Sequence, residues 1–310
     1  MAVRRALLTG WFAFRHGEAT AGDVLAAQAV AAALTGAGVP FDTAWSPTYH
    51  PGGLHLSDAD PERYSHLVFA CGPLHSRRPA GDVPSPLLEL HRRFAHCRRI
   101  AVGTSVTDPG DPAVTGFHVV LPRDGTAAPP EPDLAAHAPR PEPVPLVGVI
   151  LTEGQQEYGE RRRHTRAAEA LTRWLLRLDA ARLPLDTRLD TRDWRLAATP
   201  GQLRAVLTRL DVVVTTRLHG LVLGLDAGVP VLAVDPVAGG AKVTAQAEAL
   251  DWPAVLRVED LDGPRLGDAW RWCGSSDART RARECSARFG RAGPPPPLLV
   301  ALLAALADQC

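Results

Sequence analysis

Short apolar runs that end in Gly, Thr or Pro alternate along this chain with longer stretches of helical periodicity. Ala6–Thr9, His66–Ala70, Ile100–Gly103, Phe117–Leu121, Leu146–Leu151, Val212–Thr215 and Val231–Val234 predict strands. Val212-Val213-Val214 lacks polar alternation, as expected of a strand covered on both faces. Among the intervening stretches, Asp23–Leu34 is alanine-rich, with Asp23 placed to cap its start and Gly36 beyond its end. From 161 to 178, Ala167, Leu171, Trp174, Leu175 and Leu178 share one helix face. Strand and helix in alternation indicate parallel sheets with helices packed on them, so the fold class is α/β.

The pattern breaks at residues 124–145, DGTAAPPEPDLAAHAPRPEPVP, whose prolines suit neither a helix interior nor a central strand. This divides the chain into an N-terminal domain over 1–125, a proline-rich linker over 126–145 and a C-terminal domain over 146–293. A second proline run, Pro294–Pro297, precedes a last apolar helix within 294–310 that is free to pack back on the N-terminal domain. The length of 310 residues suits two domains of ordinary size.

Composition narrows the partners. Apolar residues make up 45% and charged residues 22%, and 34 basic residues balance 34 acidic ones. No long-range field draws the whole molecule to nucleic acid or an anionic membrane, so anion binding has to come from a local cluster. The tail LLVALLAALA at 298–307 is half of the roughly 20 residues a membrane span needs. The apolar part of the N-terminus is too short for a signal peptide, and a cytoplasmic protein is expected. Cysteines at 71, 97, 273, 285 and 310 have no CxxC spacing, and His50, His55 and His66 have no coherent ligand spacing, so no metal is assigned.

The candidate chemistry lies in DVVVTTRLHGLVLGLDAGVPVLAVDP, residues 211–236. A buried strand stops at a threonine pair, and Arg217-Leu218-His219-Gly220 leads into a helix whose face is Leu218, Leu221, Val222 and Leu225. Gly220 and Gly224, four apart, let that helix approach the sheet, and Gly228 and Pro230 end it. The corner therefore falls at the carboxyl edge of a parallel sheet, where α/β proteins bind ligands. A helix N-terminus repels cations unless an anion joins them. Arg217 offers a bidentate fork for phosphate or carboxylate, and His219 a proton near neutral pH. The alternative reading makes Arg217 a surface cation and His219 a partner of a neighbouring loop.

These residues resemble the signature of the polysaccharide pyruvyl transferase family. Its strand ends in Arg-Leu-His, a Gly- or Ala-containing helix follows, and Gly-(Val/Ile)-Pro precedes the next strand, here Gly228-Val229-Pro230-Val231. Lys242 takes the place of the family's lysine, Arg123-Asp124 resembles its Arg-Asp element and EPDLA (131–135) its Pro-Asp-x-Ala element. Thr9-Gly10 through Gly22-Asp23 resembles its N-terminal pattern, without the usual asparagine, and its glycine-rich stretch survives only as Cys71-Gly72-Pro73.

The resemblance implies two Rossmann-like domains facing across a cleft, like the GT-B glycosyltransferases, with the acceptor on the N-terminal side and the donor on the C-terminal side. It implies phosphoenolpyruvate as co-substrate, no further cofactor and no metal, and a saccharide or related hydroxyl as acceptor, which receives a pyruvate ketal. Arg217, Leu218, His219, Gly220, Lys242 and Arg123 would hold the donor, His219 would be the general acid and Asp23 the base. Two alternatives stay open: a nucleotide-sugar glycosyltransferase of the same architecture, and a non-catalytic anion-binding protein. Outside this set, Arg161-Arg162-Arg163-His164 reads as a solvated helix start or a phosphate patch, and Trp11, Phe12 and Phe14 as core or a sugar platform.

Overall fold

The computed structural model describes residues 5–14, 19–77, 84–126, 129–152, 154, 156–289 and 295–307. The chain divides into two compact units, Met1–Pro141 and Glu142–Cys310. Residues 15–18, which precede the Gly22-Asp23 pair, and 78–79 of the basic stretch HSRRP lie outside the described residues.

Unit 1 runs β1 (Ala6–Thr9), α1 (Ala21–Gly36), β2 (Phe41–Trp45), β3 (Leu54–His55), β4 (His66–Ala70), α2 (Pro86–Arg93), β5 (Arg98–Val106), α3 (Pro112–Thr115) and β6 (Val119–Gly125). Its strands are ordered β3-β2-β1-β4-β5-β6, and every pairing is parallel. This is the Rossmann order, which reverses between β1 and β4. Leu7, Leu8, Leu67 and Phe69 on these two strands are fully buried, which explains their unbroken apolar runs. β2, with Asp42 and Thr43 among its five residues, is half-buried and lacks that signal.

Helix α1 starts two residues earlier than its apolar pattern suggests. Thr20, in extended backbone, is the N-cap: its hydroxyl accepts from the Asp23 N–H and donates to Asp23 Oδ2 at 2.8 Å. Asp23 is thus a first-turn carboxylate and not the cap, because a cap has to sit outside helical φ/ψ.

Much of the proline-rich stretch belongs to unit 1. Arg123 on β6 bonds Asp124 Oδ2 and Ser105 Oγ, each at 2.7 Å, and pairs with Asp133. Asp133 in turn caps the 3-10 turn Leu134–His137, and Leu134 covers Gly103, where a Cβ would stand 2.6 Å from Leu134 Cδ1. These contacts hold as tertiary structure a stretch whose composition suggests a plain connector.

Unit 2 runs β7 (Leu146–Ile150), α4 (His164–Leu175), β8 (Ala181–Pro184), α5 (Pro200–Leu207), β9 (Val212–Thr215), α6 (Leu218–Asp226), β10 (Val231–Asp235), α7 (Lys242–Ala249), β11 (Val255–Arg257), α8 (Gly263–Cys273), α9 (Ser276–Arg288) and α10 (Pro297–Ala307). The parallel order is β11-β10-β9-β7-β8. Counted within the unit this is the second common doubly wound order, which reverses between its first and third strands, β7 and β9. Val212–Thr215 and Val231–Asp235 are buried throughout. The edge strand β8 is exposed throughout, and the apolar side chains of α10, Leu298 to Leu306, are exposed as well.

Candidate functional site

The corner after β9 is built by the threonine pair. Thr215 Oγ1 donates to Ile150 O at 2.9 Å and accepts from the Arg217 N–H at 2.9 Å, so one buried hydroxyl joins β7 to the turn. Thr216 Oγ1 accepts from the Thr152 N–H at 2.9 Å and ties down the loop after β7. The helix then lies very close to the sheet. A Cβ on Gly220 would stand 2.1 Å from Thr215 Oγ1, and one on Gly224 would stand 2.6 Å from Val231 Cγ2. Only glycine permits that approach, so the two glycines set the depth at which α6 begins.

A pocket of about 220 Å³ opens at this corner. Thr152 lines it from the loop after β7, Thr216 and Arg217 from the loop after β9, Leu218 and His219 from the first turn of α6, Asp235 to Val237 from the end of β10, and Lys242 and Val243 from α7. It thus spans the carboxyl ends of β7, β9 and β10, at the point where the strand order reverses. That is the position at which doubly wound sheets hold ligands. Arg217 is the N-cap of α6, and no side chain among the described residues caps that helix's first turn. That first turn begins with Leu218 and His219, which line the pocket together with Arg217 and Lys242.

Three carboxylates hold the cations and the loops. Asp186, from the loop after β8, pairs with Arg217. Glu157 lies 3.8 Å from Lys242 Nζ, which also sits 5.8 Å from the centre of the Tyr158 ring. Asp235 is fully buried and accepts from the N–H groups of Val237 (3.1 Å), Ala241 (2.7 Å) and Thr244 (2.9 Å) and from the Thr244 hydroxyl (3.0 Å). It serves as the anion for the first turn of α7 and orients Lys242 at that helix's start. The first turn of α7 therefore has a carboxylate at its N–H groups, whereas the first turn of α6 has none among the described residues.

Four of the expected donor-binding residues meet here, since Arg217, Leu218, His219 and Lys242 all line the pocket. Gly220 is the buried packing residue behind them. Arg123 and Asp23 belong to unit 1, at the carboxyl edge of its sheet, and both act electrostatically on Cys71 at the end of β4. Cys71 holds a left-handed φ of 62° and its thiol donates to Asp23 O at 3.6 Å. Burial, and then the Asp23 charge, push that thiol far above its usual range, so it is an inert packing group. Trp11 stacks on His75 at 5.0 Å and donates Nε1–H to Pro73 O at 2.9 Å over Gly72.

Asp186, Glu157 and Asp235 have no counterpart among the expected residues, and His164 is singled out by the sequence only as part of the basic helix start at 161–164. Asp235 alone left a signal, a carboxylate closing an apolar run in VLAVDP. Arg161, read as part of a solvated helix start or a phosphate patch, is exposed and also donates to Ala238 O and Gly240 O at 2.8 Å, which anchors it to the loop after β10.

No family model matches the chain, so the likeness to polysaccharide pyruvyl transferases rests on its own residues. No curated protein matches it either. Solved structures similar to it include the spinosyn forosaminyltransferase SpnP, at 14% identity over 98% of this chain and 99% of that one, with a TM-score of 0.34. The glycosyltransferase SnogD from Streptomyces nogalater is similar at 16% identity over 99% of this chain and 100% of that one, with a TM-score of 0.32. The spinosyn rhamnosyltransferase SpnG, complexed with thymidine diphosphate, is similar at 13% identity over 97% and 100%, with a TM-score of 0.34. Likeness this remote assigns no substrate. What the strand orders and the pocket define is a pair of Rossmann-like α/β units, the second with a pocket lined by Arg217, His219, Asp235 and Lys242 at its switch point.

Proposed function

We propose that this protein is a group-transfer enzyme whose donor leaves on phosphate, and that the donor is a nucleoside-diphosphate sugar. The observation that carries this reading is the meeting of Arg217, His219 and Lys242 at the uncapped start of α6, on the switch point of unit 2. An acceptor hydroxyl attacks the anomeric carbon, the bond from that carbon to the phosphate oxygen breaks, and its electron pair leaves with the diphosphate. Arg217, Lys242 and the first-turn N–H groups of α6 neutralise the departing charge. His219 donates a hydrogen bond, or a proton, to the leaving oxygen. The hydroxyl proton goes to a base, for which Asp23 at the carboxyl edge of unit 1 is our candidate.

The two basic side chains of the pocket each face one carboxylate, Arg217 with Asp186 and Lys242 with Glu157. A bridging pyrophosphate offers one phosphate to each of these two cations, which is why we favour this donor over phosphoenolpyruvate. The pyruvyl-transfer reading keeps one feature in its favour, a titratable His219 at the pocket where the enol carbon would need a proton. Thermal shift separates them. Uridine or thymidine diphosphate is expected to raise the melting temperature at millimolar concentration, and phosphoenolpyruvate to leave it unchanged. The opposite result establishes the pyruvyl donor, and no shift with either removes the pocket from the reading. Ligand binding without transfer to any hydroxyl acceptor would mark a non-catalytic binder.

A further inference from the structure

His164 opens α4, and its side chain is the odd one out behind the pocket. It is 2% exposed, and neither ring nitrogen has a hydrogen-bond partner among the described residues. Buried polar groups almost always find partners, so an orphaned imidazole calls for a reason. Its place is fixed firmly. Arg162 forms an antiparallel bridge with Val237, the Arg163 N–H donates to Pro236 O at 2.9 Å, and the Ala238 N–H donates to Arg161 O at 2.8 Å. The turn that carries His164 is thereby clamped to the loop whose Pro236 and Val237 line the pocket. Four charged groups act on the ring: Arg162 from its own turn, Glu157 from the loop before α4, Asp235 from β10 and Lys242 from α7. Asp235 and Lys242 are themselves pocket residues.

We propose that His164 is a proton-linked positioning residue: when an anion occupies the pocket, the buried imidazole takes up a proton from solvent. In the empty site the ring is neutral at physiological pH, since burial first, and the Arg162 and Lys242 charges after it, hold its pKa below the usual histidine value. A phosphate group beside Lys242 opposes both cations and shifts the balance toward imidazolium. The imidazolium is then attracted by Asp235 and Glu157, the two carboxylates that act on the ring, and this adds to the backbone contacts that join the loop after β10 to the start of α4. The sign follows from linkage. The bound-state pKa lies above the free-state one, so anion affinity strengthens as pH falls between the two and levels off below the free value. A rise of one unit would tighten binding about tenfold across that window. Regulation of affinity by pH would thus come from a residue that the ligand does not touch.

The inference rests on the phosphate-donor reading of the same pocket, and the test separates the two. Imidazole resonances of the labelled full-length protein are followed through pH titration, free and then saturated with uridine diphosphate or, in a second arm, phosphoenolpyruvate. The His164 midpoint is expected below that of a free histidine and to rise by about one pH unit on saturation. Binding, seen as a perturbed His219 resonance, with an unmoved His164 midpoint overturns this inference and leaves the donor reading intact. No perturbation by either compound overturns both. In calorimetry, His164→Asn is expected to flatten the pH dependence of the dissociation constant below neutrality relative to wild type, the ligand's own titration cancelling in the comparison. An undiminished pH dependence in the folded variant counts against the proposal.

Discussion

Arg217, two residues beyond the buried strand β9, has its side chain 34% exposed and pairs with Asp186. As a partly exposed pair that link adds little to folding, so the residue's value lies in what the rest of the guanidinium reaches. Arg217→Ala is therefore expected to weaken uridine diphosphate binding roughly 30-fold, about 2 kcal/mol for a lost charge-assisted hydrogen bond. Its urea midpoint should stay close to wild type. Isothermal calorimetry together with denaturation separates the two effects, and a variant that binds normally would mark Arg217 as a surface cation. Asp235 makes the opposite case. It is fully buried with four hydrogen bonds and shapes the pocket without being free to bind an anion. Cation and carboxylate at one corner thus differ, the first partly exposed at the pocket and the second fixing the loop that presents Lys242.

At the scale of the element, α6 is decided by its glycines. A methyl on Gly220 meets the Thr215 hydroxyl, which cannot yield because it bonds both Ile150 O and the turn backbone. Gly220→Ala is expected to cost on the order of 1–3 kcal/mol through overpacking, read as a lower urea midpoint, and to weaken anion binding as α6 lifts from the sheet. Gly267, inside α8, is the control. A Cβ there meets nothing within 4 Å, so Gly267→Ala should stabilise the protein by about 0.5–1 kcal/mol through helix propensity alone. If both changes destabilise equally, the packing account of Gly220 fails. Caps follow the same local logic, since Thr20 and Thr199 each accept an N–H two or three residues into their helices.

The whole molecule titrates in a definite direction. His66, His91 and His164 all have pKa values held below 6.5, with burial the largest cause in each. The unfolded chain releases these histidines to water, where they bind protons more readily than in the folded state. Stability is therefore fully present above pH 6.5 and is lost as pH falls from 6.5 through the folded pKa values. The lowered carboxylates Asp111, Asp124 and Asp193 act only near and below their ordinary value of 3.8, so they leave that window untouched. The urea midpoint should drop between pH 7.5 and pH 5.5, and a flat profile over that range would contradict the burial of these rings.

The sequence by itself determined the α/β class, the paired units and the corner at Arg217-Leu218-His219-Gly220. Each is written in local periodicity: buried parallel strands show as unbroken apolar runs, and a helix that must lie close to a sheet shows as glycines four apart. Half-buried β2 and exposed β8 carry no such pattern and were invisible for that reason. Only the tertiary structure decided which strand ends adjoin, because order within a sheet depends on pairings between distant segments. It thereby brought Lys242 to Arg217, set Asp235 beneath them and gave each cation a carboxylate drawn from another loop. It also enclosed His164 beside the pocket without a hydrogen-bond partner among the described residues, a consequence of converging segments that no single stretch of chain records.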